Sequence, residues 1–257
     1  MNIHYTTIKG RRDDNEDRHN IILNIDGKKK DLLPINLFGI YDGHGGTYVS
    51  NFLEKNIPVY YCHPKLKLPF TKSYHEEVFN HLQKDILKNP KGYSNGSTCL
   101  LGIIHKNNNE LYLNVANVGD SRLIVISDDG KTKQITTDHC PDDKKEKKRI
   151  EDLGGEIYTD DDGTKRIGDL SVSKSFGDED NAPYVSHKPD VFNIKLHNVK
   201  YVILMCDGAL EKLCNEDFYK IIKKSKKNKS KNLAVDIAET AVKGGTGDNV
   251  SMIVIEL

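Results

Sequence analysis

No apolar run in this chain approaches the roughly 18 consecutive residues that a membrane-spanning helix needs, so a spanning protein of that kind is excluded. Net charge is also missing. The 38 Lys and Arg are matched by 38 Asp and Glu, which gives no reason to expect nucleic acid or an anionic membrane as the main partner. The five cysteines (Cys62, Cys99, Cys140, Cys206 and Cys214) are odd in number and contain no C-x-x-C pair. That pattern argues against a disulfide framework and against zinc, and the thiols are expected to be reduced, as in an intracellular protein. The opening MNIHYTTIKGRRDDNED lacks the apolar core of a secretory signal, and Met-Asn is not the Met-Gly of myristoylation. A cytoplasmic chain is expected, with the nucleus open to it. The glycosylation sequons at Asn95 and Asn249 are not expected to be used there. No internal repeat is present.

What is present suits a globular protein. Hydrophobic residues are 37% and charged residues 30% of 257, enough for a sizeable core under a well-solvated surface. Strand-like runs recur at 20–25, 33–41, 98–105, 110–118, 122–127, 201–206 and 251–257. Short polar connections such as 106–109 and 128–130 predict antiparallel hairpins. Helical periodicity marks TYVSNFLEKNI, which is expected to stop at Pro58. Ser73 and Glu76 read as a capping box ahead of Val78, Phe79, Leu82 and Ile86. Asp142 is placed to cap a helix that ends at Gly154-Gly155. Two more helices are expected near 216–224 and 232–242. The lysine-rich KKSKKNKSK (223–231) reads as a solvated turn between them, in preference to a nuclear or nucleic-acid patch. Grouped strands and paired helices predict an α+β chain with two antiparallel sheets face to face and helices outside.

Four aspartates share one setting. Asp42 follows the run INLFGIY, Asp120 follows LYLNVANVG, Asp207 follows YVILMC, and Asp248 precedes VSMIVIEL. Glu16-Asp17 precedes another run. Strand ends are held by a rigid scaffold yet reach solvent. Carboxylates brought together there repel unless a cation offsets them. An all-oxygen set suits a hard divalent ion such as Mg²⁺ or Mn²⁺, and glycine after Asp42 admits a close backbone carbonyl. A pair of such ions activates water and stabilises an in-line phosphoryl displacement. His44 is then placed to protonate a leaving oxygen and Arg12 to grip phosphate bidentately. Each piece alone is ordinary, since Asp-Gly is a common turn; only their convergence points to chemistry.

From residue 9 onward the chain resembles the metal-dependent type 2C serine/threonine protein phosphatases, the PPM family. The motifs, in order, are Arg12 with Asn15-Glu16-Asp17, then Asp42-Gly43-His44-Gly45-Gly46, Gly96-Ser97-Thr98 and Asn117-Val118-Gly119-Asp120-Ser121-Arg122. Asp138-His139, Gly154-Gly155, Leu170 through Gly177-Asp178, Cys206-Asp207-Gly208 and Asp248-Asn249 follow. The resemblance implies a single catalytic domain over 1–257, a central antiparallel β-sandwich flanked by helix pairs (four layers, αββα), and hydrolysis of phosphoserine and phosphothreonine in proteins. It also implies two Mn²⁺ or Mg²⁺ ions, with Asp42 bridging them. The Gly43 carbonyl would join one ion, Asp207 and Asp248 would complete the other, and Glu16 and Asp17 would support the centre through water. Arg12 would bind the phosphate and His44 would be the general acid. Asp120 would serve a weaker third ion, with Glu211 near it. A monomer is expected.

Some positions depart from the family pattern. Lys174 stands where arginine is usual, Leu210 where tryptophan is frequent, and Thr246-Gly247 where Ser-Arg is common. The segment 178–190 is short, which implies a reduced flap beside the site. A catalytically silent scaffold of the same fold is the alternative; it predicts lost ligands, and none of Asp42, Asp207, Asp248 or His44 is missing.

Overall fold

The structure is a computed structural model and describes residues 1–25, 35–62, 70–108 and 110–257. Its longer strands are β1 (Asn2–Ile8), β2 (Arg18–Ile25), β3 (Ile35–Tyr41), β4 (Cys99–Asn107), β5 (Glu110–Val118), β6 (Arg122–Ser127), β7 (Thr132–Gln134), β8 (Asp190–Lys195), β9 (Val199–Met205) and β10 (Val250–Glu256). The helices are α1 (Tyr48–Tyr61), α2 (Lys72–Ile86), α3 (Lys91–Ser94), α4 (Lys144–Asp152), α5 (Asn215–Lys227) and α6 (Leu233–Lys243). One five-stranded sheet has the order β1-β10-β9-β6-β7 and the other β8-β5-β4-β3-β2, and every pairing is antiparallel.

Alternation along each strand builds the layers. In β3, Phe38 and Ile40 point between the sheets while Leu37 and Tyr41 point outward under α1 and α2. In β10, Ile253 and Ile255 point between the sheets while Met252 and Val254 lie under α5 and α6. The inner strands are therefore apolar on both faces, and they read in the sequence as unbroken runs. The expected αββα sandwich is what forms. Each Leu, Ile or Phe fully buried in these layers contributes about 1.5–3 kcal/mol.

Local expectations needed correction at five places, the first being that the lysine run 223–231 is not all turn, since α5 continues through it to Lys227. Helix α1 does not stop at Pro58 but runs on to Tyr61. Pro58 has no N–H for the carbonyl of Glu54 one turn earlier, and Asn20 Nδ2 from β2 donates to that carbonyl instead, at 3.2 Å. The cap of α2 is Thr71, whose side chain accepts from Tyr74 N, and Ser73 lies inside the first turn. Asp143, not Asp142, caps α4, accepting from the backbone N–H groups of Lys145 and Glu146. Strands β1, β7 and β8 were not expected. The turn at Asn109 and the start of the 33–41 run, Leu33-Pro34, lie outside the described residues.

Candidate active site

Register brings the acidic strand ends to one rim. Arg18 pairs with Tyr41, Leu100 with Ile40, and Cys99 with Val118, so the start of β2 and the ends of β3 and β5 coincide. In the other sheet Met205 pairs with both Met252 and Arg122, and Ile8 pairs with Val250. Asp17, Asp42, Asp120, Asp207 and Asp248 each lie within two residues of these pairs, on one side of the sandwich.

They surround a cleft of about 530 Å³ whose walls include Arg12, Glu16, Asp42, Gly43, His44, Asp120, Asp207 and Asp248. Carboxylate oxygens of Asp42, Asp120 and Asp207 lie within 4.8 Å of one another. Those of Asp17 and Asp42 lie equally close to Cys206 Sγ. That sulfur is already engaged by backbone, donating to Asn249 O at 3.4 Å and accepting from Ser251 N at 3.1 Å. Asp17 is 3% exposed, and among the described residues neither of its carboxylate oxygens has a hydrogen-bond partner in good geometry, although the Ser251 and Cys206 side chains lie near enough to offset part of its burial.

Crowding in a dry place governs protonation here. Burial first, and then the charges of Asp207 and Asp248, push Asp17 up to about 6. Burial and Asp248 push Asp207 to about 6. Burial raises Asp42 well above the carboxylate range, with Asp17, Asp207, Asp120 and Asp248 adding to it. Asp120 is raised likewise by burial and by Asp207. Orphaned buried oxygens and mutually repelling carboxylates with no Lys among them are what a divalent cation would satisfy, and the oxygen-rich donor set fits Mg²⁺ or Mn²⁺.

The remaining expected residues are positioned as follows. Arg12 Nη2 donates to Asp248 Oδ2 at 2.7 Å across the mouth of the cleft, and Asp248 raises the guanidinium pKa further. Glu16 is anchored through its backbone: its N–H donates to Asn249 Oδ1 at 2.9 Å and its carbonyl accepts from Ser50 Oγ at 2.6 Å. Gly43 answers a demand beyond a free carbonyl, because a Cβ there would stand 2.5 Å from Glu16 O and 2.7 Å from Ser50 Oγ. Glu211 does not line the cleft but lies near enough to Asp207 to add to its raised pKa; it accepts from Thr246 Oγ1 at 2.7 Å and Gly247 N at 2.9 Å. The Thr246-Gly247 pair thus serves a loop that holds Glu211.

Lys174 is buried, donates to Asp190 Oδ1 at 2.9 Å and stands 3.7 Å from Glu146 Oε1. A single ammonium therefore ties its loop to α4 and β8 without the planar fork of arginine. Arg166 and Asp169 through Val172 line the wall beside the site, and no residue of the short segment 178–190 lines it. Sequence reasoning gave no role to Asn249 or Asp178. Asn249 donates from Nδ2 to the carbonyls of Lys9 and Asp14, and Asp178 meets His44 Nε2 at 2.7 Å. The only sequence signal for either was its place in a motif.

The family model described as protein phosphatase 2C matches residues 1–250. Probable protein phosphatase 2C 56 of Oryza sativa subsp. japonica is 33% identical over 258 residues, covering 98% of this chain and 69% of its own length. Probable protein phosphatase 2C 69 of Arabidopsis thaliana is 32% identical over 256 residues, with 98% and 68% covered. The chain thus spans about two thirds of these relatives. Among solved structures, a C. elegans sex-determining protein superposes with a TM-score of 0.85 at 23% identity, covering 98% of this chain and 64% of that one. A serine-threonine phosphatase 2C from Toxoplasma gondii gives 0.82 at 22%, with 99% and 94% covered. The two structures share the fold, and the match over residues 1–250 together with relatives above 30% identity places this chain in the protein phosphatase 2C family.

Proposed function

We propose that this protein is a metal-dependent phosphatase that hydrolyses phosphoserine and phosphothreonine monoesters of proteins. The observation that carries the reading is the buried carboxylate of Asp17, unpartnered among the described residues, beside the Asp42–Asp120–Asp207 cluster. A silent scaffold has no use for so costly an arrangement, because each unpaired buried charge weighs against folding. Asp42, with the Gly43 carbonyl, Asp207 and Asp248, would hold two Mn²⁺ or Mg²⁺ ions, Glu16 and Asp17 would steady them, and Asp120 would serve a third. Bound there, such ions supply Lewis-acid charge to the phosphoryl oxygens and make water a better nucleophile at neutral pH.

The chain's own groups do the rest. Arg12 leaves Asp248 for the substrate phosphate and orients it by two parallel hydrogen bonds. His44, on the cleft wall, delivers a proton to the departing serine or threonine oxygen, a step worth about 10²–10⁴ in rate. The protein acts as a monomer. The experiment is release of phosphate from a phosphothreonine peptide with Mn²⁺ or Mg²⁺, against EDTA and Asp42→Ala controls. Release that needs the metal and is lost in Asp42→Ala supports the reading. No release from folded protein across metals and pH would favour the scaffold.

A further inference from the structure

His44 sits on a three-stranded ribbon at the cleft rim, formed by Gly43–His44, Gly96–Ser97 and Phe176–Gly177. The ribbon places Asp178, one residue past its outer strand, against the imidazole. Nε2 of His44 and Oδ2 of Asp178 are 2.7 Å apart, and the aspartate side chain is 2% exposed. The same oxygen accepts from Ser175 Oγ. A carboxylate only accepts, so the shared proton is the imidazole Nε2–H. Nδ1 forms no hydrogen bond among the described residues and remains the ring nitrogen free to meet a substrate.

Two backbone details show that the contact is built in. Asp178 adopts a left-handed conformation, φ 50°, which few non-glycine residues take. Gly96, in the middle strand, passes directly beneath the pair, where a Cβ would stand 2.0 Å from Asp178 Oδ2 and 2.1 Å from His44 Nε2. Any other residue at 96 would force the two side chains apart.

We infer that Asp178 is a positioning residue for the phosphatase reaction: by accepting the His44 Nε2–H it fixes the orientation of the protonated ring, so that Nδ1–H faces the leaving oxygen and the ring left after transfer is the Nε2–H tautomer. The inference rests on the general-acid reading of His44 above. The step itself moves one proton from Nδ1 to the alkoxide oxygen as its bond to phosphorus breaks, and water later restores that proton.

The test compares a phosphothreonine peptide, whose alkoxide leaves poorly, with p-nitrophenyl phosphate, whose leaving group needs no acid. Asp178→Asn is expected to lose about 100-fold in kcat on the peptide, the scale of a general acid, and about 3-fold or less on the aryl ester. His44→Ala is expected to match it, and the double variant to lose no more than either single one. Ser175→Ala, a milder change, should move the same ratio in the same direction. Equal losses on both substrates, or additive losses in the double variant, would overturn the assignment. Proton NMR of the Mg²⁺-loaded protein gives a readout apart from turnover. A downfield imidazole N–H resonance is expected in the wild type and absent in both His44→Ala and Asp178→Asn; its absence from the wild type would sink the pair. If wild-type protein shows that resonance yet hydrolyses neither ester, the phosphatase reading fails and the His44–Asp178 contact stands.

Discussion

Asn249 accepts the backbone N–H of Glu16 on Oδ1 at 2.9 Å and donates from Nδ2 to the carbonyls of Lys9 and Asp14, at 2.7 and 3.1 Å. One amide thus fastens the loop that carries Arg12, Glu16 and Asp17 to the strand entry that carries Asp248. Asn249→Ala leaves a half-buried N–H and two half-buried carbonyls without this partner, at about 1–3 kcal/mol each where water does not reach. Its unfolding free energy in urea should drop by about 3 kcal/mol, and calorimetry should show weaker Mn²⁺ binding. Reduced stability with unchanged Mn²⁺ affinity would separate this asparagine from the metal centre.

Protonation of Asp17 gives a pH signature. Its carboxyl rises from 3.8 to about 6 on folding, so the metal-free native state binds more protons than the unfolded chain between those values. The contribution to stability is present below the unfolded value and is lost as pH rises through the folded one. Asp17→Asn mimics the protonated form, so without metal it should be more stable than wild type at pH 7, by on the order of 2 kcal/mol. The difference should vanish near pH 4. Metal binding should run the other way, weakening below pH 6 as protons compete. A variant less stable than wild type at pH 7 in EDTA would contradict the burial argument.

Lys174 bears on a different link, from packing to loop order. His139 and Lys174 hold the Asp190 carboxyl well below the usual carboxylate range. Lys174→Met strands Asp190 and Glu146 with a lost partner, and should cost about 3 kcal/mol, in line with breaking a buried ion pair from one side. Lys174→Arg should fold with a smaller penalty. Thermal unfolding of the two variants checks the order.

The Asn20–Glu54 contact predicts a coupling. Pro58→Ala restores an N–H to helix α1 that competes for the Glu54 carbonyl. Asn20→Ala should therefore cost less in the Pro58→Ala background than in the wild type, by about 1 kcal/mol, the net worth of one such hydrogen bond. A double-mutant cycle in urea reads this directly, and strict additivity would show that the amide does not substitute for the missing donor.

The legible parts of the sequence were those where burial leaves a uniform mark. Strands β3, β4, β9 and β10 are covered on both faces, and their runs announced them. Strands β1, β7 and β8 lie at sheet edges, half exposed and mixed in composition, as in NIHYTTI, and no period stood out. The aspartates at strand ends were visible because each borders such a run. Asp178 and Asn249 were not given roles because their partners lie 134 and 233 residues away, and only the register of the sheets brings them together. Pro58 misled because the compensating amide comes from another element.

Strand β10 is inserted between β1 and β9, so the sheet that carries Asp207 stays open until residues 250–256 are made and seated. Asp248 and Asn249 enter the rim with that strand. Without that strand, Asp42, Asp120 and Asp207 would stand on a scaffold missing an inner strand. The acidic rim is therefore completed only in a late closing step dominated by contacts across most of the described chain, which are the slow ones to form.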